Sequence, residues 1–150
     1  MDSTDLKILQ RLQKNARVKA STIGQEVNMS VSAVIERIHR MEQSGIISRY
    51  TVVLNQKKLG QQVTAFVMVK TQLPGAYPLL VKDLMTLPYV MECNNITGEF
   101  DFLIKVVAYD LDDVNAFVRQ LSELNYVTGV KTNIVLSGII VKDTPLPMRV

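Results

Sequence analysis

From Ser30 to Gly45 the chain reads SVSAVIERIHRMEQSG, with apolar residues at Val31, Val34, Ile35, Ile38 and Met41. That is the i, i+3, i+4, i+7 spacing of one helix face. Ser30 suits the start, because its hydroxyl can accept from an unpaired amide of the first turn. Gly45 supplies the positive φ that ends a helix. The opposite face carries Ser32, Ala33, Glu36, Arg37, Arg40 and Gln43. Upstream, Leu6, Leu9 and Leu12, with Ile8 beside them, predict a helix over Asp5–Lys14 capped near Ser3 or Thr4. A second helix is predicted over Ser21–Val27, with Ile23 and Val27 inward, Ser21 as its cap and Asn28 as a left-handed turn residue. Three short helices, the last two joined by about three residues, predict a helix-turn-helix.

Ile46–Leu54 reads as a strand, and the polar run Asn55–Gly60 reads as a short linker. A boundary is placed there, giving domains 1–60 and 61–150. Beyond it the pattern changes. Gln62–Leu73 is a strand with Val63, Ala65, Val67 and Val69 on one face and Phe66 and Met68 on the other. Pro74-Gly75 turns the chain into a helix over Tyr77–Leu87, with Leu80, Val81 and Leu84 inward. Strands follow over Tyr89–Ile96 and Phe100–Ala108, on either side of a turn at Thr97–Glu99. Asp110 caps a further helix that buries Val114, Phe117, Val118 and Leu121, with Asp112 and Asp113 favouring its dipole. Tyr126–Val141 holds the last strand, bent at Gly129 or Gly138.

This second half repeats. Leu84, Leu87, Tyr89 and Val90 recur as Leu121, Leu124, Tyr126 and Val127, at an offset of 37 positions. Two strand-helix-strand units in tandem give β-α-β-β-α-β, the ferredoxin-like arrangement. The fold class is therefore α+β. Helices cover only one face of such a sheet, yet both faces of the first strand are apolar. A second copy is the simplest cover, so a two-fold homodimer is expected.

Charge sharpens this picture. Residues 1–58 hold ten Lys/Arg against five Asp/Glu, whereas residues 59–150 hold seven against nine. The positive end is where a polyanion would bind. Short side chains at the start of the third helix let its backbone approach a major groove, and arginines behind them can reach guanine edges or phosphates. Double-stranded DNA is thus the expected partner. Ser30, Ser32, Ala33, Arg37 and Arg40 are the candidate contacts of the reading helix, with Ser21 and Thr22 bracing the second helix on the phosphates.

Other classes find little support. One histidine, His39, and one cysteine, Cys93, fall in different domains, with no zinc-type spacing, phosphate loop or nucleophile elbow. No enzyme activity, cofactor or metal is expected. No run reaches the ~18 apolar residues of a membrane span, and the start carries no signal-like segment, so no membrane and a cytoplasmic location are expected. A rival reading is a ligand-binding oligomeric module whose N-terminal helices bind protein instead of DNA.

Several segments, in order, resemble the leucine-responsive regulatory protein/AsnC family of prokaryotic transcription regulators. They are Asp5-Leu6-Lys7-Ile8-Leu9, then Glu36-Arg37-Ile38 with Met41-Glu42 and Gly45-Ile46-Ile47, then Thr97-Gly98-Glu99-Phe100-Asp101-Phe102, then Thr132 with Ile134-Val135-Leu136. The resemblance implies a winged-type helix-turn-helix joined to a ferredoxin-like effector domain. It also implies dimers that often form octamers, and a small-molecule effector, usually an amino acid. The family's Thr-Gly-x-Tyr-Asp loop falls on Thr97, Gly98, Glu99, Phe100 and Asp101, of which Thr97, Gly98, Glu99 and Asp101 are the candidate effector contacts. Chemically, Asp101 could hold an ammonium and the amides around Gly98 a carboxylate. Two departures are Ser30-Val31 where the family often has Ser-Pro, and Phe100 where it commonly has Tyr.

Overall fold

The computed structural model describes residues 1–72, 75–139 and 146. The chain divides into two compact units, one built on Met1–Val53 and one on Leu54–Ile140. The first contains α1 (Ser3–Lys14), α2 (Ala20–Val27) and α3 (Val31–Gln43). Their inward residues Ile8, Leu9, Ile23, Val34 and Met41 form one core, against which Ile38, Ile47 and Leu146 also pack.

The caps differ from expectation at two of the three helices. Asp2, not Ser3 or Thr4, caps α1: its carboxylate accepts from the Asp5 amide, and the Asp5 carboxylate accepts from the Asp2 amide. This is a reciprocal capping box with Asp5 in the usual Glu position. α2 starts one residue earlier than Ser21, with Lys19 at its cap and no side chain bonded to its first turn. Ser30 does cap α3, accepting from the Ala33 amide at 3.2 Å.

The α2–α3 turn is set by backbone geometry. Asn28 adopts the left-handed conformation (φ 54°), and the Met29 amide donates to the Gly24 carbonyl at 2.9 Å. A Cβ on Gly24 would lie 2.6 Å from the Met29 carbonyl oxygen. A backbone atom cannot swing aside as a side chain can, so glycine is what lets the turn close. The periodicity that placed the helices gave no sign of this requirement.

The second unit contains β1 (Val63–Thr71), α4 (Ala76–Leu84), β2 (Val90–Asn95), β3 (Phe102–Ala108), α5 (Leu111–Ser122) and β4 (Val127–Ile134). Its strands lie in the order β2-β3-β1-β4, and every neighbouring pair is antiparallel. Both helices cover one face: Leu80, Leu84, Val114, Phe117 and Leu121 bury against Ala65, Val67, Val69, Ile104 and Val106. The internal repeat is therefore a repeat of core positions. Leu80 and Phe117 are both fully buried, and their successors Leu84 and Leu121 are buried too. Asp110 caps α5 by accepting from the Asp113 amide. β4 bulges at Thr128, since Lys70 pairs with Gly129 but Thr71 with Val127.

Some expected elements change. Ile46–Leu54 forms no strand, and Val52, Val53 and Leu54 stand 77%, 73% and 62% exposed. Its β-branched sequence has the propensity, but a strand needs a partner to satisfy its amides. α4 ends at Leu84 instead of Leu87. The turn at Pro74 falls outside the described residues, and β4 ends at Ile134, short of the expected Val141, with residues 135–139 in no strand. Phe66, Met68 and Leu103 are half-buried on the face away from the helices.

Gly24→Ala is expected to destabilise the helical unit by about 1–3 kcal/mol, the usual effect of overpacking against a rigid neighbour. Thermal denaturation followed by circular dichroism measures this. An unchanged transition would show that the turn can open without loss.

Candidate functional site

The helix-turn-helix presents α3 with one face in the core and the other exposed. Val34 and Met41 are buried, whereas Ser32, Glu36, His39, Arg40 and Gln43 are exposed and Ala33 is half-buried. Ser30 and Ser32 hydroxyls lie 3.1 Å apart at the start of the helix. His39 Nδ1 lies 3.2 Å from Glu42 Oε2, and the Tyr50 hydroxyl donates to Glu42 Oε1 at 2.8 Å. Partial desolvation of the half-exposed phenol, followed by that hydrogen bond, pushes its pKa up to about 12. Ser21 and Thr22 stand exposed in the first turn of α2.

The two arginines of α3 do different things. Arg37, expected beside Arg40 on the DNA side, turns its guanidinium to α1. It donates 2.7 Å hydrogen bonds to both Asp2 Oδ2 and Asp5 Oδ1. Its side chain is only 23% exposed and that of Asp5 only 4%. Arg40 is 64% exposed and lies 3.6 Å from Asp5 Oδ1. Arg37 is thus a strut between α1 and α3, and Arg40 is the guanidinium available to solvent. Sequence periodicity placed both arginines off the apolar stripe. It did not reveal that Asp2 and Asp5, paired by the capping box, would form an acidic seat for one of them.

This seat leaves an electrostatic mark. The Asp5 amide, followed by Arg37, holds the Asp2 carboxyl down at about 2. Burial alone would raise the pKa of Asp5. The Arg37 hydrogen bond and the Asp2 amide together outweigh that effect, so its pKa is also lowered.

In the second unit, Thr97, Gly98 and Glu99 form an exposed turn between β2 and β3, with Gly98 at φ +119° and open space where a Cβ would be. Asp101 closes it. Its carbonyl accepts from the Ile96 amide at 2.8 Å and from Asn95 Nδ2 at 2.9 Å. Its carboxylate accepts from the Thr71 amide at 2.6 Å and the Thr71 hydroxyl at 3.0 Å, both on Oδ2. One oxygen of the carboxylate expected to hold an ammonium, Oδ2, is therefore engaged at the end of β1, and Asp101 fixes the turn to the sheet. Thr71, which the motif reading missed, is its partner. Two cavities among the described residues, of about 220 and 320 Å³, lie against Lys82, Leu87, Gln120 and Leu124 and against Tyr77, Met85, Val90 and Cys93. Neither includes the turn. Among the described residues no group of three His, Cys, Asp or Glu side chains could hold a metal.

Comparison with known proteins matches both units. Residues 1–42 match the AsnC-type helix-turn-helix domain and residues 64–145 match the Lrp/AsnC ligand binding domain. The chain belongs to the Lrp/AsnC family of transcription regulators. It is a DNA-binding regulator of that family. Among Lrp/AsnC relatives, the regulator FL11 of Pyrococcus furiosus is 30% identical over 149 residues, covering 99% of this chain and 97% of that one. LrpC of Bacillus subtilis is 32% identical over 143 residues, covering 95% and 96%. A Neisseria meningitidis transcriptional regulator, solved with L-Met, superposes with a TM-score of 0.92 at 28% identity, covering 99% and 97%. AsnC of E. coli does so at 0.89 and 26%, covering 96% and 97%.

Because both carboxylates sit below their unfolded values, the stability they contribute is complete above about pH 4 and is lost as pH falls through their folded values. Arg37→Ala should therefore destabilise the helical unit at neutral pH, with the difference from wild type shrinking between about pH 4 and 2. Urea melts across that range test it. A difference that does not change with pH would contradict the strut.

Proposed function

We propose that this chain is a sequence-specific regulator that reads a major groove with α3 and responds to a free amino acid through the Thr97–Glu99 turn. The observation that carries the first part is the exposed face of α3, set beyond a turn that Gly24 and Asn28 make tight. Ser32 and Ala33 come closest to the bases. Arg40, with Ser30 at the helix start, reaches base edges or phosphates. Ser21 and Thr22 meet phosphates from the uncapped first turn of α2. Arg37 acts at one remove, by holding α3 against α1.

The amino-acid effector rests on the open turn and on the L-Met complex of the Neisseria relative. Amides around Gly98 would face the carboxylate. With Asp101 Oδ2 engaged by Thr71, the exposed Glu99 carboxylate would be the main partner of the ammonium, with Asp101 behind it. The turn is open to solvent on its own, so a second copy would be needed to enclose a ligand. Association is also supported by the exposed run Val52–Leu54 and by Phe66, Met68 and Leu103 on the sheet face away from the helices. A homodimer, with dimers joining as octamers, fits these surfaces.

DNA binding by the full chain should weaken steeply with salt, and Arg40→Ala should reduce the logarithmic salt slope by about one. Fluorescence anisotropy with mixed duplexes measures both. Absence of binding at low salt would favour the rival reading, in which the helical unit docks on protein.

A thermal-shift screen of the twenty amino acids, with methionine first, should find at least one that raises the melting point. Glu99→Gln should remove most of that shift and leave ligand-free DNA binding unchanged. An unchanged shift in this variant would exclude Glu99 as the ammonium partner.

A further inference from the structure

Val31 and Ile35 carry the spacing of the apolar stripe of α3, yet the structure leaves each 45% exposed. The core of the helical unit is filled without them, by Val34, Ile38 and Met41 of the same helix. They lie four residues apart and so are neighbours on one flank of α3. Exposed Ser32 and His39 lie beside them, and Arg40 is further along the helix. Two β-branched side chains are far too small a patch for a stable protein interface, which needs roughly 800 Å² on each side. They also sit in the first 58 residues, which carry an excess of five positive charges. The surface around them therefore suits a polyanion.

What these side chains could recognise follows from what the first turns of α3 lack. Between Ser30 and Glu36 there is no arginine, lysine, asparagine or glutamine. The paired donors that select guanine, and the amide that selects adenine, are absent from that part of the helix. The one apolar feature a major groove offers is the C5 methyl group of thymine. We infer that Val31 and Ile35 are specificity determinants that pack on thymine methyl groups near the start of α3. This rests on the reading of α3 as the groove-facing helix and adds to it the base that its first two turns select. Serine at position 32 can bond to any base edge, and the exposed Glu36 could accept only from the cytosine amino group, so for thymine the methyl contacts carry the choice.

The test starts from a duplex selected by the full-length protein out of a random pool. Each thymine in it is then replaced singly by uracil, which removes the methyl group and keeps every hydrogen-bonding atom. For the wild-type protein, one or two positions per half-site should lose about fourfold in affinity, the worth of one buried methyl group. In Ile35→Ala or Val31→Ala the loss at one of those positions should disappear, with the other thymines unaffected. Both residues are exposed, so the variants should fold, and circular dichroism checks this. No uracil sensitivity at any position would overturn the inference and leave DNA reading by α3 intact. Uracil sensitivity that persists in both variants would also overturn it, since another residue would then hold the methyl group. Failure to select any duplex would instead count against α3 as a reader at all.

Discussion

The helical unit depends on one partly buried charge contact. Asp2 and Asp5 are drawn together by the capping box of α1, and the Arg37 guanidinium bridges them. Two carboxylates side by side repel unless a cation sits between them, and the burial that disfavours the Asp5 charge is offset by the Arg37 hydrogen bond and the Asp2 amide. The cation comes from the middle of α3. The start of the first helix therefore fixes the rotation of the third about its own axis. That rotation decides that Val34 and Met41 face inward and that Ser32, His39 and Arg40 face out. A second constraint acts at the other end of the motif, where Gly24 meets the Met29 carbonyl. Together they hold α3 at both ends of the motif.

Much of this was legible in the residues. The stripe of α3, the Ser30 cap, the left-handed Asn28 and the 37-residue repeat of the second unit all follow from local periodicity and turn chemistry. Such signals need no knowledge of distant partners. What stayed hidden was long-range or geometric. Arg37 meets residues more than thirty positions away. The Gly24 requirement arises only when two backbones approach. Val31 and Ile35 fit the apolar spacing, but the core closes before it reaches them. The Asp2-x-x-Asp5 pair could have been read as a capping box, had aspartate been allowed in the role of glutamate.

The second unit shows the same division. Its sheet and helices follow from alternation and from the duplicated core. The loop motif was found by resemblance, but the task of its aspartate was not. Asp101 holds Thr71 of β1 and so fixes the turn to the sheet, leaving Thr97–Glu99 as the exposed part. Rigid support beneath an open turn is what a ligand contact needs, because ordering a loose loop on binding would cost affinity. Ile46–Leu54 teaches the reverse lesson. Its composition favours a strand, yet no strand within the described residues pairs with it, and apart from Ile47, which packs on the helical core, its large apolar residues remain exposed.

The central claim is that the two arginines of α3 have separate duties, Arg37 inside the bundle and Arg40 outward to DNA. Side-chain nitrogen NMR of arginine-labelled full-length protein, titrated with a selected duplex, addresses it directly. The account predicts that the Arg40 side-chain resonance moves on binding while that of Arg37 stays where the Asp2 and Asp5 carboxylates hold it. A large shift at Arg37 with none at Arg40 would contradict it.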